Sequence, residues 1–343
     1  MKKVIVIMVI AVLALGMFGC GGGGGGTTPP PPGEQPSVVK IGISLPTQRE
    51  ERWVLDKESF ESTAESMGIE VNIQIADNDA GRQQTQCENL ITQGVTALIV
   101  APHDGEAAKN IVEIAHEAGV PVISYDRLIM DADVDLYVTF DQYKIGYLMG
   151  EYIANNVESG NIVILKGDPL DNTTIPLREG AVAAIQSKLD SGAFKIVAEQ
   201  DCIDWQPSAA LRHMEQALTA NNNDIQGVIA QNDGTAGGAI QALAAVGLDG
   251  KVPVTGQDCE SDAIKRIREG TQGMTVFFDV RDMSAAAFQA AVKMSKGEDP
   301  GSDSTENNGK IDVKVLGFPA TSITKDNWDL PIKAGYMDAA DVE

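Results

Sequence analysis

Basic side chains are scarce in this 343-residue chain: 26 Lys and Arg stand against 49 Asp and Glu, a formal net charge of −23. Nucleic acid and anionic membrane surfaces both demand clustered Lys and Arg, so the balance argues against either as a partner. Excess negative charge instead suits a secreted protein that must stay in solution. Cysteine is sparse as well. Apart from Cys20, the chain has Cys87, Cys202 and Cys259, with no CxxC pair and no His at ligand spacing, which argues against a metal site and leaves each as a buried, inert thiol. No cofactor is called for. No apolar run reaches the length of a comfortable transmembrane helix, and the run over residues 4–15 falls short of it. What is present is enough for two domains of ordinary size, with 43% hydrophobic residues to fill their cores without disulfide staples.

The amino terminus has the three-part layout of a secretory signal over residues 1–19: Lys2 and Lys3, the apolar run, then small residues before Cys20. Met17-Phe18-Gly19-Cys20 resembles the lipobox of bacterial lipoproteins, although Leu is usual where Met17 stands and a small residue where Phe18 stands. The resemblance implies acylation of Cys20, with plain cleavage as the alternative. Glycines 21–26 and prolines 29–32 then form a flexible piece joined to a stiff one, a tether over residues 20–37. Such a protein works outside the cytoplasm, free in the periplasm or touching the membrane through a lipid anchor only.

From residue 38 strand and helix alternate. Apolar runs at 38–43, 96–100, 120–123 and 136–140 read as strands, 71–75 as a half-covered one, and helices fall at 51–67, 83–92 and 106–117. After a helix near 143–155 a second series follows, with strands at 162–165, 196–198, 228–230, 252–255 and 274–277 and helices near 177–189, 208–219, 236–245 and 263–268. This is an α/β chain of two doubly wound, Rossmann-like parallel-sheet domains. The late helix 283–296 completes the first series, which implies crossings near Phe140, Phe278 and Gly317 and hence a three-crossing hinge. The domains are expected at 38–140 plus 279–316 and at 141–278 plus 317–343. In the 2-1-3-4-5 strand order two strands separate Cys202 from Cys259, about 14 Å. No disulfide spans that, so free thiols are expected.

Ligands of open α/β sheets bind at the carboxyl ends of the strands. There the chain places residues 47–53, Asp126 and Arg127, Asp171 and Asn172 with Arg178 on the next helix, Asp204 and Trp205, Asn232 and Asp233, and Gln257 and Asp258. The set holds no nucleophile and base in partnership, which disfavours an enzyme. It suits a sugar, because carboxylate, amide and guanidinium each grip a hydroxyl that both donates and accepts, while the ring face packs on an indole such as Trp53 or Trp205. Each residue also has a structural reading. Asp126 and Arg127 can cap loops or pair with each other, Asn232 can be an N-cap, and Arg178 a surface charge.

At this point the motifs can be compared with a family. REERW (49–53), SYDRLIMDADVD (124–135), DNTT (171–174), DW (204–205), the run 219–252, TGQD (255–258), IKRIREGTQGMTV (264–276) and STENNG (304–309) resemble the periplasmic sugar-binding proteins of bacterial ABC transporters, the xylose binders in particular. The resemblance covers the chain from about residue 40 onward. It implies a type I periplasmic-binding-protein fold, a monomer, and delivery of a monosaccharide to a membrane permease by domain closure. Sugar contacts would fall on Arg52, Trp53, Asp126, Arg127, Asn172, Arg178, Trp205, Asn232 and Asp258. Two positions depart from the pattern: Phe278 stands where xylose binders carry Lys, and Thr173 where they carry a second Asn. Phe278 cannot donate a hydrogen bond, so the ligand can be xylose or a related pentose or hexose. The alternatives are a sugar-sensing regulator, for which a basic DNA-binding head is wanting, and a binding protein that feeds a chemoreceptor.

Overall fold

The computed structural model describes residues 38–342; the expected signal, tether and Cys20 lie outside them. Within them, short apolar runs that lack a helical period alternate with longer amphipathic ones, and such a chain buries most surface as parallel strands covered by helices on both faces. The first series runs β1 (Lys40–Leu45), α1 (Glu51–Met67), β2 (Glu70–Ile75), α2 (Ala80–Thr92), β3 (Ala97–Val100), α3 (Lys109–Glu117), β4 (Val122–Tyr125) and β5 (Leu136–Phe140). The second runs α4 (Gln142–Asn156), β6 (Gly160–Lys166), α5 (Thr174–Asp190), β7 (Phe194–Asp201), α6 (Pro207–Ala220), β8 (Gly227–Ala230), α7 (Asp233–Ala245), α8 (Ser261–Glu269) and β9 (Thr275–Phe277). Then come α9 (Val280–Ser295), β10 (Ser304–Asn307), β11 (Asp312–Phe318), β12 (Thr321–Ile323) and α10 (Leu330–Lys333).

Seven strands form one sheet in the order β10-β11-β5-β4-β3-β1-β2, parallel except for β10. Its central strands β3, β4 and β5 are buried at every residue, since α1 and α9 pack together on one face while α2 and α3 pack on the other. Local signals set the helix ends. Asp79 and Asp141 cap α2 and α4 through their side chains, and α1 stops at Gly68, whose φ of 63° closes the last turn.

The second sheet pairs β7, β6 and β8 in parallel. It continues through a bridge from Val228 to Val254 and through hydrogen bonds from Gly273 N to Val254 O and from Val276 N to Gly256 O, reaching β9, which pairs antiparallel with β12. This is the 2-1-3-4-5 order with its fourth member reduced. The expected strand at 252–255 is therefore corrected to one bridging residue, because Pro253 has no N–H to give a ladder and Asp258 and Cys259 turn the backbone at φ of 95° and 57°. Cys87, Cys202 and Cys259 are buried free thiols.

The chain passes between the sheets after Phe140, after Phe278 and after Phe318. The three rings meet there: Phe140 and Phe278 stack with centroids 4.2 Å apart, and Phe318 approaches Phe140 edge-on at 6.3 Å. Aromatic contacts of this kind pack the three connections side by side, two of which leave the paired strands β5 and β11 at the facing residues Phe140 and Phe318.

Candidate ligand site between the two sheets

The carboxyl ends of both sheets face each other across a small cavity. From the first sheet come Glu50, Arg52, Trp53, Asp126 and Arg127; from the second come Asp171, Thr173, Trp205, Asn232, Gln257 and Asp258; Gln142 and Phe278 come from the passages. A larger groove of about 1720 Å³ lies alongside, open to solvent, and shares Gln142 and Thr173 with the cavity. It is mainly apolar and gathers no buried charges, so the chemistry belongs to the smaller space.

Arg52 and Arg127 organise the site. Arg52 lies on the first turn of α1, where its Nη1 donates to Asp126 at 2.7 Å and its Nε and Nη2 donate to Asp56 at 3.2 and 3.1 Å. Its guanidinium also covers the Trp53 ring at 4.1 Å. Arg127 reaches across to the second sheet, with Nε 2.8 Å from Asp171, though the N–H is not aligned for a hydrogen bond. The same Asp171 oxygen accepts from Trp205 Nε1 at 3.1 Å. Asn232 both caps α7, accepting from Thr235 N at 2.9 Å, and lines the cavity, so the structural and binding readings of this residue hold together.

Three buried oxygens on the cavity wall have no partner in the described chain: Glu50 Oε2, Gln142 Oε1 and Gln257 Oε1. Buried acceptors without donors cost about 1–3 kcal/mol each, so a wall carrying three is shaped for a ligand rich in hydroxyl donors. Asp258 adds a further carboxylate, 5% exposed, with no ion pair or side-chain hydrogen bond among the described residues. Burial raises its pKa well above the carboxylate range, Arg52 opposing and Asp233, Asp126 and Glu50 adding to the rise. Burial works against the charge on Arg52 too, but Asp126, Asp56 and Asp258 hold its pKa well above the usual value. Asp56 is pushed up to about 6 by burial, against the pull of Arg52. Backbone strain collects here as well. Asp126, Asp204, Trp205 and Asp258 all have positive φ, between 54° and 95°, a cost that persists where surrounding structure fixes a functional geometry.

Of the residues singled out from the sequence, Arg52, Trp53, Asp126, Arg127, Trp205, Asn232, Asp258 and Phe278 are brought together on one cavity. Asn172 and Arg178 are not. Asn172 lines the neighbouring groove and donates to Leu128 O at 3.2 Å, while Arg178, one turn into α5, is half-exposed and makes a two-pronged pair with Glu199 on β7 at 2.9 and 3.1 Å. Glu50, Gln142, Asp171, Thr173 and Gln257 take places that the residue-by-residue reading did not assign to the sugar. Glu50, Asp171 and Gln257 stand at strand ends in the sequence and Thr173 follows one of them closely, whereas Gln142 opens α4 after the passage from β5. Among the described residues no group of His, Cys, Asp and Glu side chains could hold a metal ion, and no helix is long and apolar enough to cross a membrane.

Residues 41–299 match the periplasmic binding protein domain model. The D-xylose-binding periplasmic protein of Escherichia coli is 42% identical over 299 residues, 87% of this chain and 91% of that one. Its namesake in Haemophilus influenzae is 40% identical, covering 87% and 90%. Among solved structures, a carbohydrate transporter solute-binding protein from Chloroflexus aurantiacus in complex with D-glucose superposes with a TM-score of 0.82 at 33% identity, covering 89% of this chain and 98% of its own.

Proposed function

This chain belongs to the periplasmic binding protein family, and on that premise we propose that it is the extracytoplasmic solute-binding protein of an ABC sugar importer, taking a monosaccharide, xylose or a related pentose or hexose, into the cavity between its sheets. One observation carries the reading: buried Arg52, Arg127, Asp126, Asp258 and Asn232 converge with three unpartnered oxygens on one cavity between the sheets. Arg52, Asp126, Arg127, Asn232 and Asp258 would grip hydroxyls, with Glu50, Gln142, Asp171 and Gln257 completing the set. Trp53, Trp205 and Phe278 would take the apolar faces of the ring. Because the ligand touches both sheets, it binds the closed arrangement better than the open one, and closure is a population shift.

The lobes would be residues 38–140 plus 279–316 and residues 141–278 plus 317–343, moving about the three phenylalanine-marked passages. Acylated Cys20 and the tether would hold a monomer near the permease that receives the sugar. Calorimetry against a panel of pentoses and hexoses tests the function. At least one sugar should bind in the micromolar range or tighter, and a panel with nothing tighter than millimolar overturns it.

A further inference from the structure

Helix α8 begins without a cap of its own. Its N-cap residue, Glu260, makes no side-chain cap hydrogen bond, so the first N–H groups of the helix need acceptors from elsewhere. One arrives from the other side of the cleft. Glu51, the first residue of α1, accepts from Ser261 N at 2.9 Å and from Ser261 Oγ at 3.0 Å through the same carboxylate oxygen. α1 packs on the seven-stranded sheet, whereas α8 follows the Val254 bridge and precedes β9 of the second sheet. The contact therefore bridges the two lobes. Neither residue lines the sugar cavity; both line a separate pocket behind it.

One carboxylate thus lies at two helix amino termini, accepting the first N–H of α8 and sitting at the positive end of both dipoles. The neighbouring Glu260 does not spoil this. Burial, with Asp233, Asp258 and Glu51 adding, pushes its pKa up to about 9, which keeps it uncharged beside Glu51 near neutral pH.

We propose that Glu51 is a closure latch: carried by one lobe, it supplies the cap that α8 of the other lobe lacks, and so tightens the binding of every sugar by one common factor without touching any of them. The inference rests on the cavity being the monosaccharide site, and the test separates the two. Glu51→Ala removes the acceptor. Ser261→Pro removes both donors at a helix position where Pro is well tolerated, after a residue already extended at φ −64°, ψ 150°.

Each variant should raise the Kd for xylose and for glucose by roughly three- to tenfold, the size of a lost helix cap. The ratio of the two should stay fixed, and the double variant should be no weaker than either single one. A spin label on each lobe, read by pulsed EPR without sugar, should show longer separations in both variants, while circular dichroism checks that Ser261→Pro remains folded. A changed xylose-to-glucose ratio, additive losses, or unaltered lobe separations in both variants would each overturn the latch. If the unsubstituted protein binds neither sugar but the separations lengthen, the latch stands and the sugar reading falls.

Discussion

Asp126 is held at φ 64°, its carboxylate 2.7 Å from Arg52 and its carbonyl oxygen accepting from Tyr137 and Thr139 hydroxyls at 2.8 and 2.9 Å. Its removal therefore does two things at once. Asp126→Ala strips a partner from a buried guanidinium and puts Ala in a left-handed conformation, so besides abolishing sugar binding it should lower the stability of the sugar-free protein by roughly 1–3 kcal/mol. Asp126→Asn tolerates that φ and retains one acceptor oxygen. It should weaken sugar binding at least tenfold with less than half that loss of stability, measured by calorimetry and urea unfolding. Equal stability losses in the two variants would mean that the charge serves the fold and not the ligand. The same balance of charges bears on selectivity. The cavity wall holds Glu50, Asp126, Asp171 and Asp258 against Arg52 and Arg127, and Asp258 is already crowded by other carboxylates. A ligand carboxylate would enter a buried, negatively biased space at a cost of several kcal/mol, so glucuronate should bind at least about a hundredfold more weakly than glucose. Competition calorimetry with glucuronate and glucose decides it.

At the scale of elements, α4 and α5 approach so closely that a side chain on their contact line has no room. A Cβ on Gly146 would lie 1.9 Å from Leu177 O, and one on Gly180 would lie 2.0 Å from Tyr143 O. Gly146→Ala should therefore cost about 1–3 kcal/mol through separation of the two helices, although alanine favours helix, and thermal unfolding would show it. The alternation of these elements was legible in the sequence because buried parallel strands are short apolar runs and amphipathic helices are long periodic ones. Boundaries were less so. α3 starts at Lys109 and not at residue 106, since Asp104 Oδ1 takes the N–H groups of Glu106 and Ala107 into a turn first. Helix phase was not legible at all from position after a strand. Arg178 follows β6 by a suitable distance, yet its turn of α5 faces Glu199 on β7. Gln142 was missed for the opposite reason: it follows β5, but on a passage between sheets, where the strand-end rule was not applied.

Across the whole molecule, several carboxylates are buried where protonation favours the folded state. Burial pushes Asp56 and Asp233 up to about 6 and Glu260 up to about 9, with partial opposition from Arg52 on Asp56 and from Arg266 on Asp233. A carboxylate whose folded pKa lies above its unfolded value binds its proton first in the folded state. Its stabilising effect is complete below the unfolded value and is lost as pH rises through the folded one. The sugar-free protein should accordingly gain stability as pH falls from about 9.5 to about 5: Glu260 contributes throughout that window, and Asp56 and Asp233 add to it only in its lower part. Relief of self-repulsion among a net charge of −23 acts in the same direction. Glu199, whose pKa the hydrogen bond from Arg178 lowers, contributes oppositely, but only as pH falls below the ordinary carboxylate range. Thermal midpoints measured at about pH 9, 7 and 5 should rise in that order, by a few degrees per step, and Asp233→Asn should flatten the lower step. Asp233 suits this test because it hydrogen-bonds to Gln272, Thr275 and the Glu260 N–H without lining the cavity. Midpoints that fall from pH 9 to pH 5 would show these carboxylates to be ionised and paired in the folded protein.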